Sequence, residues 1–340
     1  MFDIDFYMRH ALTGTLERNE NPVVYNIETT NACNMTCQMC PRTTLMTRPV
    51  ETMEPGLFEK IINQMKPHNE HLWKKWVDFV KMTYAIYPNE MNENHFFLYI
   101  IPKVVQLHGY GDPLLDKNMS RYVKYLTRCG FYSYFSCNPA NISIDKTIEM
   151  FESGLSYIKY SVESVKDDMH KELRGSKSDF YKSYNNILEV LEIKDVMCLD
   201  TTVVITMLDL NREGQREEFQ ELKRLFAGHD VYIYLKSEDT QWYRGDKHGT
   251  KSIHWSEPCK HPWMSMTIKS NGEACQCMED FNNAIVLGDT HTETLYDIWN
   301  GEKYEQLRRD HLELTPGIQC TENCDMELIG DGCLKKTAYI

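Results

Sequence analysis

No run in this chain approaches the roughly 20 consecutive apolar residues that a helix needs to cross a bilayer, so nothing reads as a transmembrane segment and no membrane partner is expected. Residues Met1 to Arg9 lack the basic-then-apolar order of a secretory signal. Positive charge is also short: 37 Lys and Arg stand against 50 Asp and Glu, a net charge of −13. That balance argues against a bare nucleic-acid backbone or an anionic membrane as partner. Internal repeats and low-complexity tracts are absent, so repeat architectures are not expected. Cysteine is not scarce. Twelve occur in 340 residues, grouped at metal-like spacings in a large chain without an export signal. A cytoplasmic, reducing setting fits that usage better than a disulfide framework does.

Three of those cysteines carry the most information. Cys33, Cys37 and Cys40 form a C-x3-C-x2-C run that follows an apolar, β-prone stretch, Val23 to Ile27. Three thiolates on one short loop can hold three irons of a cubane cluster and leave the fourth iron open for chemistry. The bland alternative is a zinc knuckle. Zinc wants a fourth ligand nearby, and no His or Cys follows until His68.

From residue 23 to about 237, strand-like and helix-like runs alternate. The β-rich runs are Val23–Thr30, Val104–Gly111, Phe131–Cys137, Tyr157–Val162, Asp200–Leu208 and Val231–Leu235. Such alternation implies an α/β fold with a parallel sheet and helices on its outer face. Reactive groups then gather at the C-terminal ends of the strands, where the cysteine loop lies. Pro67 to Pro102 interrupts the pattern with many aromatic residues. Trp73, Trp76, Val77, Val80 and Tyr84 fall at helical spacing, so an extra amphipathic helix packed on the core is favoured over a substrate lid.

The pattern C-x3-C-x-Φ-C after a first strand, with Pro41-Arg42 behind it, resembles the radical S-adenosylmethionine (SAM) superfamily, and the downstream features are similar to members with a C-terminal SPASM or twitch-type auxiliary-cluster domain. The resemblance implies a partial (β/α)6 barrel at 23–240, carrying an insertion at about 67–102. It also implies an N-terminal extension at 1–22 and a small hairpin-plus-helix domain at 250–340. The implied cofactors are SAM, the [4Fe-4S] cluster that binds it, and one auxiliary [4Fe-4S] cluster. In that family an electron from the first cluster cleaves SAM to methionine and a 5′-deoxyadenosyl radical.

His108-Gly109-Tyr110-Gly111-Asp112-Pro113 looks like the family's glycine-rich motif, in which backbone and an acid hold the methionyl ammonium of SAM; glycines allow close approach. Tyr110 and Asp112 depart from its commonest form. Ser161 and Glu163 match the strand-four contacts to ribose, and Arg174 matches the residue that grips the SAM carboxylate, which an Arg fork suits. The plain alternative for Arg174 is a surface ion pair with Glu172 or Asp168. Asn138 resembles the Asn at the end of strand three, and Met39 inside the cysteine motif completes the cofactor-binding set. Cys129, Cys137 and Cys198 read as small buried hydrophobes.

The C-terminal third has a second set: Cys259, Gly272 and Cys277, then Cys320, Cys324 and Cys333. Trp263 to Met278 reads as a hairpin turning on Asn271-Gly272, a type I′ signal. The resemblance makes Cys259, Cys277, Cys320 and Cys324 the leading auxiliary-cluster ligands. Cys333 could replace either of the last two, and Cys275 competes because it shares a strand face with Cys277. Tetrahedral zinc is the alternative.

The expected activity is a two-electron oxidation of a polar small molecule, a sugar or aminocyclitol alcohol, with an electron donor such as flavodoxin or ferredoxin. Glu28, Tyr110, Glu163, His254 and Asp280 are candidate bases, and Arg42, Arg48, Arg244 and Trp255 candidate substrate contacts. Alternatives are a peptide-modifying maturase, for which 1–22 is too short to form the usual recognition domain, an epimerase or decarboxylase of a sugar acid, and a non-catalytic iron–sulfur or zinc protein.

Overall fold

The computed structural model describes residues 21–67, 69–84, 100, 103–237, 259, 261–318 and 320. The elements, in chain order, are β1 (Val24–Ile27), α1 (Pro41–Thr44), α2 (Pro55–Ile62), α3 (Glu70–Tyr84), β2 (Val104–Gln106), α4 (Met119–Arg128), β3 (Tyr132–Cys137), α5 (Ile144–Glu152) and β4 (Tyr157–Ser161). Then come α6 (Asp167–Arg174), α7 (Phe180–Val196), β5 (Thr202–Asp209), α8 (Gln215–Leu225) and β6 (Tyr232–Ser237). The C-terminal part adds α9 (His261–Met264), β7 (Met266–Ile268), β8 (Glu273–Cys275), β9 (Val286–Asp289), α10 (Leu295–Asn300) and α11 (Glu302–Leu312).

The strands among the described residues lie in one sheet, ordered β6-β5-β4-β3-β2-β1-β7-β8-β9. The first six pair in parallel. β7 joins the open side of β1, also in parallel, and β8 and β9 continue antiparallel. The C-terminal hairpin therefore extends the barrel sheet rather than packing as a separate layer. Its turn is not type I′, which needs left-handed backbone at both central residues. Only Gly272 is left-handed, at φ +85°, and its N–H donates to the Lys269 carbonyl at 2.9 Å.

Helices cover the outer face through apolar stripes. On α4, Met119, Tyr122, Val123 and Leu126 are buried at three- and four-residue spacing. Inside the barrel, Val104, Tyr134, Val204 and Tyr234 form an apolar floor with Tyr132 and Tyr157 against it. Below that floor Lys103 Nζ lies 4.1 Å from the Trp73 ring and 4.4 Å from the Tyr132 ring, a cation–π arrangement. The Tyr132 hydroxyl donates to Glu70 at 2.6 Å. The helix of the aromatic insertion thus closes the N-terminal end of the barrel, leaving the other end for chemistry. Phe96, Phe97 and Tyr99 of that insertion lie outside the described residues. No helix among the described residues is long and apolar enough to cross a membrane.

Two fully buried histidines make the fold acid-sensitive. His170 meets the Ser178 hydroxyl through Nε2 at 2.8 Å. Burial, reinforced by the Arg174 guanidinium, holds it at about 4, and burial holds His311 at about 4. Both folded values lie below the ordinary 6.5, so the unfolded chain takes up protons first. Stability is complete above 6.5 and falls as pH drops toward 4, by up to about 3 kcal/mol per histidine. The urea midpoint at pH 5 should lie well below that at pH 7.5, and His170→Gln should flatten this dependence.

Candidate active site

The cysteine loop leaves β1 and is pinned from both sides. Asn34 and Asn141 exchange side-chain amide hydrogen bonds at 2.8 and 2.9 Å. On the other flank, Thr36 N–H donates to the Arg174 carbonyl at 3.2 Å and Gln38 N–H to the Leu173 carbonyl at 2.9 Å. Gly175 is needed here: a Cβ would stand 2.2 Å from Thr36 Oγ1, and its φ is +96°. With the backbone held this way, Cys33, Cys37 and Cys40 line one cavity of about 290 Å³. Burial pushes all three thiols up, Cys40 to about 12, so a metal bound there displaces protons. Three thiols lining one cavity suit a cubane cluster with its fourth iron left open.

The strand ends complete the cavity. Met39, Gly109, Tyr110, Gly111, Asp112, Asn138, Ser161, Glu163 and Arg174 all line it. Gly111 has no room for a side chain, since a Cβ would lie 2.2 Å from the Thr30 carbonyl oxygen. Asp112 accepts from Leu114 N–H at 3.0 Å, Asn138 N–H at 3.1 Å and Asn141 Nδ2 at 2.7 Å. These bonds lower its pKa, yet burial dominates and raises it. A carboxylate has about four acceptor positions, so one remains for a bound ammonium group. Arg174 does not form the surface pair expected as its alternative; its Nε and Nη2 donate to buried Glu163. Its Nη1 lies 3.9 Å from Cys37 Sγ.

Most other candidates turn out to be framework. The Glu28 carboxylate receives both Arg48 terminal nitrogens, at 2.9 and 3.0 Å. Asp280 accepts from the Ala284 and Ile285 N–H groups at 2.7 and 2.8 Å. Arg42 Nε donates to the Asn31 carbonyl at 2.9 Å, and Arg48 Nε to that of Phe281 at 2.7 Å. Glu28, Glu163 and Asp280 thus have oxygens engaged by framework donors, and Arg48 is committed to Glu28 and Phe281, whereas Arg42 uses Nε alone for Asn31. Tyr110 faces the cavity and its hydroxyl donates to Glu279 at 2.8 Å. Arg244, His254 and Trp255 lie outside the described residues. Cys137 is buried as expected, whereas Cys198 is exposed.

Three further residues line the cavity. Lys159 has the same strand parity as Ser161 and Glu163, and therefore points inward with them. Lys236 sits on β6 just past the expected strand end. His108 opens the glycine motif and carries no separate signal in the sequence. Its Nδ1 accepts the Ser136 N–H at 3.1 Å. Burial, then Lys159 and Lys236, hold its pKa well below 6.5, so the ring is neutral with its proton on Nε2.

The second cysteine group is only partly described. Cys277 and Cys320 share a buried cluster with Phe281, against which Leu45, Met46 and Tyr110 pack. This cluster therefore borders the first cavity through Tyr110. Cys259 is buried, and Cys324 and Cys333 lie outside the described residues. Cys275 ends β8 and is fully buried outside that cluster; Cys277 lies beyond the strand, so strand alternation does not pair the two. Two buried thiols in one cluster suit a multi-cysteine metal centre.

Comparison with known proteins agrees with this geometry. The chain matches the radical SAM superfamily over residues 27–222 and the SPASM iron-sulfur cluster-binding domain over residues 259–325. It is 24% identical over 157 residues to the S-adenosyl-L-methionine-dependent tRNA 4-demethylwyosine synthase of Methanocaldococcus jannaschii, a match covering 46% of each protein and so under half of that relative's length. It is 19% identical over 288 residues to the S-adenosyl-L-methionine-dependent 2-deoxy-scyllo-inosamine dehydrogenase of Niallia circulans, covering 83% of this chain and 84% of that one. The crystal structure of BtrN in complex with AdoMet and 2-DOIA superposes with a TM-score of 0.54 at 16% identity, covering 92% and 97% of the two chains. With a radical SAM match over more than half its length, a thiol-lined cavity at the mouth of a parallel barrel and a SPASM match behind it, this chain belongs to the radical SAM superfamily as an enzyme that uses SAM, a [4Fe-4S] cluster and an auxiliary iron–sulfur cluster.

Proposed function

We propose that this enzyme oxidises a secondary alcohol of a polar small molecule, a sugar or cyclitol, by two electrons. The observation that carries the reading is the single cavity in which the three thiols face Asp112, Arg174, Lys159 and Tyr110, bordered by the Cys277–Cys320 cluster. Similarity to a cyclitol dehydrogenase over most of both chains supports it. When bound, SAM and the two clusters supply the hydrogen-atom acceptor and the route for the second electron.

The chain's own residues do the rest. Cys33, Cys37 and Cys40 hold the first cluster; Met39, Gly109, Gly111, Asp112, Asn138, Ser161, Glu163 and Arg174 hold SAM. Asp112 offers its remaining acceptor position to the ammonium. Arg174, already fixed by Glu163, keeps Nη1 beside the cysteine loop, where a carboxylate can meet it. Tyr110, oriented by Glu279, gives the substrate hydroxyl a hydrogen-bond partner. Cys259, Cys277 and Cys320 belong to the auxiliary cluster, completed by Cys324 or Cys333. On this reading 23–240 is the radical domain and 250–340 the auxiliary-cluster domain, with flavodoxin or ferredoxin as electron donor in a reducing cytosol.

Two measurements test it. Anaerobically reconstituted protein should hold about eight irons, two cubanes; about four would remove the auxiliary cluster. Incubation with a cyclitol deuterated at the carbinol carbon should move deuterium into 5′-deoxyadenosine and yield one ketone per SAM consumed. Deuterium transfer without a ketone would replace oxidation by an epimerisation-type outcome.

A further inference from the structure

His108 is held at three points and opens one end onto the cavity. Its carbonyl accepts from Asn26 Nδ2 at 2.7 Å. The Tyr134 ring meets its imidazole edge to face, with centroids 5.2 Å apart at 84°. Its Nδ1 accepts the Ser136 N–H at 3.1 Å. A backbone amide nitrogen can only donate, so Nδ1 carries no proton and the neutral ring carries it on Nε2. Among the described residues no acceptor meets Nε2, and that atom is not sealed in the core. Because His108 lines the cavity, its Nε2–H is a fixed donor facing that space.

The donor sits between floor and rim. Val104, on β2, belongs to the apolar floor; His108 is four residues further on, roughly 13 Å along the strand direction, immediately before the glycine motif. It is placed to donate and not to act as a base. A proton could add only at Nδ1, where it would break the Ser136 bond and set two N–H groups against each other. Burial, then Lys159 on β4 and Lys236 on β6, oppose the same proton. A neutral imidazole N–H can polarise an oxygen without giving up its proton. Alcohol and carbonyl oxygens both accept, so one fixed donor serves substrate and product alike. The Tyr110 hydroxyl gives its own proton to Glu279, so it meets a substrate hydroxyl through its oxygen, as acceptor. The donor's part falls to His108.

We propose that His108 is a catalytic residue that donates Nε2–H to the oxygen of the reacting carbinol, and that it never takes the proton this oxygen loses. This deepens the reading of the cavity as an alcohol-oxidising site and rests on it. In that oxidation the C–H hydrogen atom goes to the 5′-deoxyadenosyl radical, the O–H proton to solvent water and the remaining electron to the auxiliary cluster. The C–O single bond becomes C=O, and His108 ends as it began. Its N–H holds the oxygen while negative charge develops there as the proton leaves. A molecule lacking that oxygen leaves the donor unpaired and is rejected.

The test has two arms on the anaerobically reconstituted holoenzyme with SAM present. The first needs no substrate: with nitrogen-15 histidine at pH 7.5, the resonance pair that disappears in His108→Asn should show Nε2 protonated and Nδ1 bare. A proton on Nδ1, or on both nitrogens, overturns the proposal. The second arm uses myo-inositol deuterated on its ring carbons. Asn keeps an acceptor near the Nδ1 position for the Ser136 N–H but places nothing at the Nε2 position, whereas Gln places an amide N–H there. His108→Asn should weaken myo-inositol binding and lower kcat for ketone formation, each at least about tenfold, as expected when a buried group loses its partner. His108→Gln should recover part of both losses, with iron content and SAM affinity within about twofold of wild type in both variants. Equal losses in the two variants, or a fall in iron content, would make His108 structural and overturn the proposal. Deuterium transfer that proceeds unchanged in His108→Asn sinks this proposal alone; no deuterium transfer by the wild type sinks the proposed oxidation and this proposal with it.

Discussion

Replacing Cys33, Cys37 and Cys40 together by alanine lowers 5′-deoxyadenosine formation from SAM and dithionite to background, at least about a thousandfold, which corresponds to about 4 kcal/mol of barrier. The size follows from what the thiols do. The loop keeps its shape through the Asn34–Asn141 amide pair and through backbone bonds from Thr36 and Gln38 to the end of α6. None of these uses a sulfur atom. Alanine therefore removes the metal ligands and leaves the cavity walls in place, so the loss reads as chemistry rather than misfolding. Thermal melting should stay near wild type, and iron should fall from about eight to about four per chain. Alanine at Cys259 and Cys277 gives the converse: the second cluster's spectral signal disappears while SAM cleavage stays measurable. Undiminished cleavage in the first variant refutes the assignment, and loss of all iron in it means that the two centres fold as one.

What the sequence disclosed follows from the range of each signal. Ligand spacing is local, so C-x3-C-x2-C could be read directly. The strand-end residues Ser161 and Glu163 were legible through the family resemblance, and the parity of β4, which is also local, agrees in placing them on one face. The same parity places Lys159 on that face, but a lysine in a strand matches no motif. Lys236 was lost to a strand boundary, since β6 runs to Ser237 and not to Leu235. Long-range pairing left no local trace. The parallel join of β7 to β1 brings Ile268 against Ile27, residues that no spacing rule connects. Asn271-Gly272 marked a turn correctly and its type wrongly, because Gly272 supplies the left-handed position without Asn271 sharing it. Arg48 and Glu28 looked like substrate contact and base because both are charged and near the cysteines. Their mutual ion pair is visible only in three dimensions.

That ion pair carries the other large expected effect. Glu28 is fully buried and joins four segments. Its oxygens accept from Arg48 Nη1 at 2.9 Å and Nη2 at 3.0 Å, from Tyr110 N–H at 3.1 Å, and from Ser270 Oγ at 3.1 Å. β1, the arm after the cysteine loop, the glycine motif and the β7–β8 turn thus meet on one carboxylate. Burial alone would raise its pKa, but Lys269 and Arg48 outweigh it and hold the carboxyl below its usual range. Glu28→Leu leaves the Arg48 guanidinium buried without its counter-charge, and removing one partner of such a pair costs about 3–5 kcal/mol. The urea midpoint of the reconstituted enzyme should fall accordingly. Adding Arg48→Leu should recover part of the loss, because the second change removes the stranded charge. The pair also has a pH signature. With its folded pKa depressed, Glu28 contributes stability that is present above its unfolded value of about 4.5 and is lost as pH falls below it, so Glu28→Leu should narrow the difference in stability between pH 6 and pH 4. A double variant no more stable than Glu28→Leu would mean that Arg48 holds its place through the Phe281 carbonyl alone, and that the hub is hydrogen bonding rather than charge.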